Sequence, residues 1–322
     1  MNKIWYAIVL VLLSVSCVDQ ESIKTDSEQA HAVLVQGSGT YSRKISTQNS
    51  QTQDFFDQGL RLAWGFYFPE SIASYQEASR MDPGHPMPFW GMAHAMGPNP
   101  NSRYARMPDD PKGEGLKAIK KALDRIDRAD PLEAKLIHAL YVLYDKQTIP
   151  DQDDRDQAYL TAMRSLNKEY SNDPDITALY AASYMSMRRW DYWDSEGKPK
   201  AETIPVAEAL EHIIAQGVSH PGVFHLHIHL IEASLEPERA LVSADALEAT
   251  VPIVGHVVHM PAHIYVRVGQ YGKAVENNLR SQVVDQQFAN LWGDYPLPNT
   301  GTYPLSHRLH AGHALDFIRY AA

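Results

Sequence analysis

The chain has a single cysteine, Cys17, in 322 residues. No internal disulfide can form, and no paired-thiol metal or redox site exists. Basic residues are not in excess: the formal net charge is -10, which speaks against a nucleic-acid surface. Neither a phosphate-cradling loop nor a nucleophile elbow occurs. The apolar run at residues 4–13 is too short to span a bilayer. These absences leave histidine as the main chemistry-bearing residue. There are 15 His, and 10 of them lie from His220 onward. The bulk composition, 44% hydrophobic and 21% charged, is ordinary for a globular chain. A chain of this length needs an extended core, such as a solenoid provides.

Cys17 has a context. Lys3 supplies a charged start, residues 4–13 are apolar, and Ser14-Val15-Ser16 are small residues leading to the cysteine. This pattern resembles a bacterial lipoprotein signal, with Leu13 one place earlier than usual. The resemblance implies removal of residues 1–16, lipidation of Cys17 and attachment to a membrane of the cell envelope. The acidic body does not favour anionic lipid, so the acyl chains alone would anchor it. Residues 17–53 are rich in Ser, Gln, Thr and Asp and read as a flexible tether, with a short apolar piece at Ala32 to Val35 suited to docking. His31 lies in this tether and is set aside as a ligand.

From Phe55 onward the apolar period is helical, so residues 54–322 are predicted to be all-α. Phe55, Gly59, Leu62, Ser71, Tyr75, Ala78 and Pro83 alternate large and small in a helix–turn–helix pattern. Gly59 and Ala78 suit a close helix crossing, and Pro83 ends the second helix. This pattern resembles a tetratricopeptide repeat. Further hairpins are predicted at 87–128, 132–170, 176–216, 221–254 and 255–288, with a terminal helix at 305–320. The fold expected is a tetratricopeptide-like α-solenoid of about six helical hairpins plus that helix. The segments Gly59 to Phe66, Phe89-Trp90-Gly91 with Gly97-Pro98-Asn99, and Gly255 to Tyr265 also resemble an exported, His-rich bacterial family of such proteins, functionally obscure. Relatives in that family carry Asn after a His in the last segment, where this chain has Ala311 after His310.

His225 and His259 are 34 residues apart, and so are His229 and His263, the length of one repeat. Two slots of the unit are therefore filled by His twice running. The superfamily resemblance implies that the first helix of each hairpin lines the concave groove. Its groove-facing slots hold His225, His229 and Glu232 in the fifth unit, and His256, His259, His263 and Arg267 in the sixth. His94 and His138 occupy such slots in the second and third units. Helix spacing supports this independently, because i, i+3, i+4 and i+7 share a face. His225/His229/Glu232 and His256/His259/His263 each make a stripe, and adjacent helices bring neighbouring stripes within reach. Pro261 interrupts the second stripe and makes His256 its least secure member. His310 and His313 are placed to close the site from the last helix. His227 points to another face.

Neutral imidazoles with a carboxylate form a ligand set for zinc, copper or iron. The groove is therefore predicted to bind a divalent transition metal. Metal-based hydrolysis or oxidation would follow if a coordination position stays open, with Glu232 as ligand or general base and Arg267 holding a substrate anion. The alternative is a groove that binds a peptide or an acidic small molecule without metal, as a protein-binding scaffold. Trp90, Trp190 and Trp193 read as core and loop anchors.

Overall fold

The structure, a computed structural model, describes residues 30–101, 113–298 and 311–322. The signal segment, Cys17 and His310 lie outside the described residues. The chain divides into Met1–Ala30 and a body, His31–Ala322, which contains every helix described.

The body is built from antiparallel helical hairpins, and strands are absent among the described residues. The hairpins are α1 (Ser50–Trp64) with α2 (Phe68–Met81), α3 (Met87–Met96) with α4 (Glu114–Leu123), and α5 (Pro131–Tyr144) with α6 (Gln152–Glu169). They continue as α7 (Pro174–Arg188) with α8 (Thr203–Ala215), and α9 (Pro221–Ile231) with α10 (Leu241–Thr250). In the sixth, α11 (Gly255–His259) and α12 (Pro261–Arg267) together face α13 (Tyr271–Trp292). The order is the one expected. The last helix, α14 (Ala311–Ala321), packs on α13 and so has a partner. Among the described residues, no helix is long and apolar enough to cross a membrane.

Local chemistry explains the boundaries. Asp130 and Asp173 cap the N-termini of α5 and α7 with their side chains, each followed by Pro at the first helical position. Each Asp-Pro pair thus opens the next helix besides ending the previous one. Asp130 and Glu133 form a reciprocal capping box. His220 caps α9, its Nδ1 accepting from the Val223 amide at 3.0 Å. Gly59 is small because Tyr75 lies over it: a Cβ there would stand 2.8 Å from the ring. The same ring covers Gly91 on α3, so one tyrosine keys three helices together.

The docking expected of Ala32 to Val35 is present and extends along residues 31–49. Ala32, Val35 and Ile45 are buried against the helices. The Val35 amide donates to Gln58 at 2.7 Å, and Arg43 pairs with Asp173 and Asp175 at 3.0 and 3.1 Å. Buried apolar contacts and ion pairs outweigh the polar composition of the stretch.

The array also closes on itself. The α1–α2 turn reaches the fifth and sixth hairpins: Tyr67 donates to Asp285 and accepts from the Gly255 amide at 3.1 Å. Gly65 abuts Val254 and Val257. Phe66 is held at φ 62°, in the left-handed region that disfavours bulky side chains. That conformation aims its ring into the histidines of α9 and α11.

Candidate metal centre

Six histidines from α9, α11, α12 and α14 form two groups. In the inner group, His225, His229 and His256 each offer a nitrogen, and all three lie within 4.8 Å of one another. In the outer group, His259, His263 and His313 do the same. The inner group is fully buried, and Phe66 packs on all three rings at centroid distances of 4.3, 5.8 and 5.5 Å. The outer group runs from buried His259 to exposed His313.

The hydrogen bonds fix the tautomers. His259 Nδ1 lies 2.6 Å from Asn278 Oδ1, while the amide nitrogen of Asn278 donates to the Ala274 carbonyl. Asn278 therefore presents its oxygen, and His259 Nδ1 must be the donor. His263 Nδ1 donates to Glu232 at 2.5 Å. With both Nδ1 atoms protonated, each neutral ring carries a lone pair on Nε2. Those two Nε2 atoms face each other at 2.9 Å. A proton shared between the rings or a metal ion held by both would satisfy two nitrogens at that distance. His225 follows the same pattern: its Nδ1 donates to the Trp64 carbonyl at 2.6 Å, and its Nε2 lies 3.1 Å from His256 Nε2. Two nitrogens on one tetrahedral zinc ion sit about 3.3 Å apart, given bonds of about 2.0–2.1 Å. Both contacts are within a few tenths of an ångström of that value. His229 gives its Nδ1 to Glu232 at 3.3 Å, and its buried Nε2 makes no hydrogen bond.

Glu232, at the C-terminus of α9, links the groups, because one of its oxygens takes His229 and the other His263. Burial alone would raise its carboxyl, but His263 and His229 outweigh this and hold it well below the usual range. Burial pushes His225 well below the ordinary His range, and the neighbouring His229 adds to the effect. Burial likewise lowers His229. The neutral, metal-binding form of these rings is thereby favoured.

The expected single site on two parallel stripes is corrected to two triads that mix elements. Pro261 starts a new helix after Met260, so His256 and His263 point different ways. His256 joins the α9 pair, whereas His259 and His263 meet His313 instead. Glu232 orients two of the imidazoles by hydrogen bonds and is in neither group. Arg267 donates to the Glu232 and Ser234 carbonyls at 2.5 and 2.9 Å, bracing the end of α9. His138 is exposed on α5 and in neither group, because its slot turns outward there. His94 stacks on Trp90 at 5.4 Å and edges Trp64 at 5.6 Å, outside both groups. His227 is buried on another face, bonded to Ser243 at 2.9 Å.

Sequence reasoning missed Phe66, Asn278 and the Trp64 carbonyl. Asn278 sits on the second helix of its hairpin, which the groove-facing rule leaves out. Phe66 belongs to a turn 159 residues from His225, and no local spacing signals that contact.

No protein-family model matches the chain, and no curated protein matches it. Among solved structures, it is similar to the TPR2AB-domain–pHSP90 complex of yeast Sti1, at 14% identity, covering 84% of this chain and 98% of that one. The TM-score is 0.31, which carries no argument about function.

Proposed function

We propose that this protein binds divalent transition metal at two histidine triads, His225/His229/His256 and His259/His263/His313, with Glu232 orienting one ligand of each. The observation that carries the reading is the 2.9 Å approach of His259 Nε2 and His263 Nε2, whose Nδ1 atoms are both committed as donors, with His313 converging on the pair. Three converging nitrogen donors form a set that one metal ion can satisfy together. The carbonyl, amide and carboxylate acceptors behind the rings are the kind that raise ligand basicity at metal sites. An all-imidazole set suits zinc, copper or iron. A metal with an open position supplies a Lewis acid able to activate water. Glu232 and Asn278 would hold the ring orientations, and Phe66 would keep bulk water from the inner group. The Cys17 signal pattern supports placing this centre on a lipid-anchored envelope protein.

The test is metal analysis of protein purified without a His tag, wild type and His263→Ala. Stoichiometric metal in the wild type, reduced in the variant, is expected. Wild-type protein without metal, and with unchanged thermal stability in chelator, refutes the centre.

A further inference from the structure

The two triads differ in what they face. The inner one is enclosed beneath Phe66. The outer one opens onto a cavity of about 590 Å³, lined by His263 and His313 themselves. That volume falls in the about 300–1,000 Å³ range of small-molecule sites. Its walls include Trp190, Val266, Phe317 and Tyr320.

Trp190 shows that this wall is built. The loop after α7 is fastened by Tyr192, which is buried, and by Trp193, whose indole donates to the Leu230 carbonyl at 2.7 Å. Trp190 is 47% exposed, so its ring does not serve as the anchor. It nevertheless sits at φ 62°, after Arg189 at φ 22°, two conformations that cost of order 1–3 kcal/mol each. The strained turn sets the indole edge-on over His229 at 5.2 Å and along the cavity. The expectation that Trp190 merely anchors its loop does not fit this exposure.

The charges narrow the occupant. Glu232 lines the cavity with both oxygens taken by His229 and His263, and its negative charge offsets only part of the charge of the divalent ion proposed at His259/His263/His313. Asp316 also lines it, with Arg319 4.0 Å away on the same helix. Arg267 donates only to neutral carbonyls, so its positive charge is not cancelled by them.

We infer that this cavity binds a small aromatic acid, its ring against Trp190 and Phe317 and its carboxylate toward Arg267 and the open side of the His259/His263/His313 centre. This rests on the metal reading above and adds a ligand class to it. The two are separable by experiment. Cobalt-loaded protein is titrated with benzoate and, as the same donor without a ring, acetate, following the visible cobalt spectrum; cobalt content is measured on the same samples. Benzoate is expected to bind about tenfold tighter than acetate. Trp190→Ala should remove most of that preference at unchanged cobalt content, and Trp190→Phe should retain it. Arg267→Gln should weaken both ligands alike. Wild-type protein that takes up no cobalt overturns the metal centre together with this inference. Cobalt-loaded protein that binds benzoate no better than acetate, or whose preference survives Trp190→Ala, overturns the inference alone.

Discussion

Replacing Glu232 by glutamine tests how the two triads are coupled. Glu232 is one side chain with two tasks: one oxygen accepts from His229 at 3.3 Å, the other from His263 at 2.5 Å. Glutamine keeps one acceptor oxygen and turns the other into a donor. The donor end would then meet an imidazole N–H, and that ring must flip or change tautomer. The shorter bond, to His263, is the one the remaining oxygen keeps. Glu232→Gln should therefore weaken the inner triad, which contains His229, and largely spare the outer one. Loss of such a supporting acceptor costs about 10–100-fold in metal affinity, or about 1.4–2.8 kcal/mol. Glu232→Ala removes both acceptors and should weaken both triads by that factor. Zinc titration against a chromogenic chelator reads the two affinities. An equal loss at both sites in Glu232→Gln, or no loss at either, would refute the division of labour derived from the two distances.

Three further outcomes are expected. His227→Ala should keep full metal content yet lose about 2–4 kcal/mol in urea unfolding, because it empties a buried site bonded to Ser243 and Glu211; metal loss would show that its face had been misassigned. Burial lowers His94 to about 4, so it is neutral in the folded state at pH 7. A base with a depressed folded value stabilises fully above its unfolded value of 6.5, and that stability is lost as pH falls toward 4. Discounted for partial exposure, the loss is about 2 kcal/mol; unfolding midpoints at pH 7 and 4.5 should separate wild type from His94→Gln, and parallel losses would remove His94 as the cause. Cys17→Ser should move the protein from the membrane fraction to the soluble fraction of the source cell, and continued sedimentation with membranes would refute lipid anchoring through this residue.

Much of the architecture follows from periodicity. Large–small alternation around Gly59, Tyr75 and Ala78 specifies a tight hairpin, because the Tyr75 ring needs the glycine-sized gap at Gly59. The shared slots of His225/His229 and His259/His263 are also visible in the spacing, since a helix converts residue number into direction around its axis. The same rule sends His227 elsewhere. It can do no more than that within one helix. Pro261 breaks the helix, and past the break the direction counted from His256 no longer holds for His263. His138 fails for a related reason: an equivalent slot faces a shared groove only if its hairpin keeps the same rotation about the array. The sequence by itself determined an all-α chain of hairpins and a concentration of imidazoles on its last helices, because propensity, period and proline act locally. Only the tertiary structure decided that those imidazoles divide into a closed and an open triad. That division depends on the first hairpin folding back so that Phe66 covers one group, and on α14 bringing His313 to the other; no local spacing encodes either contact.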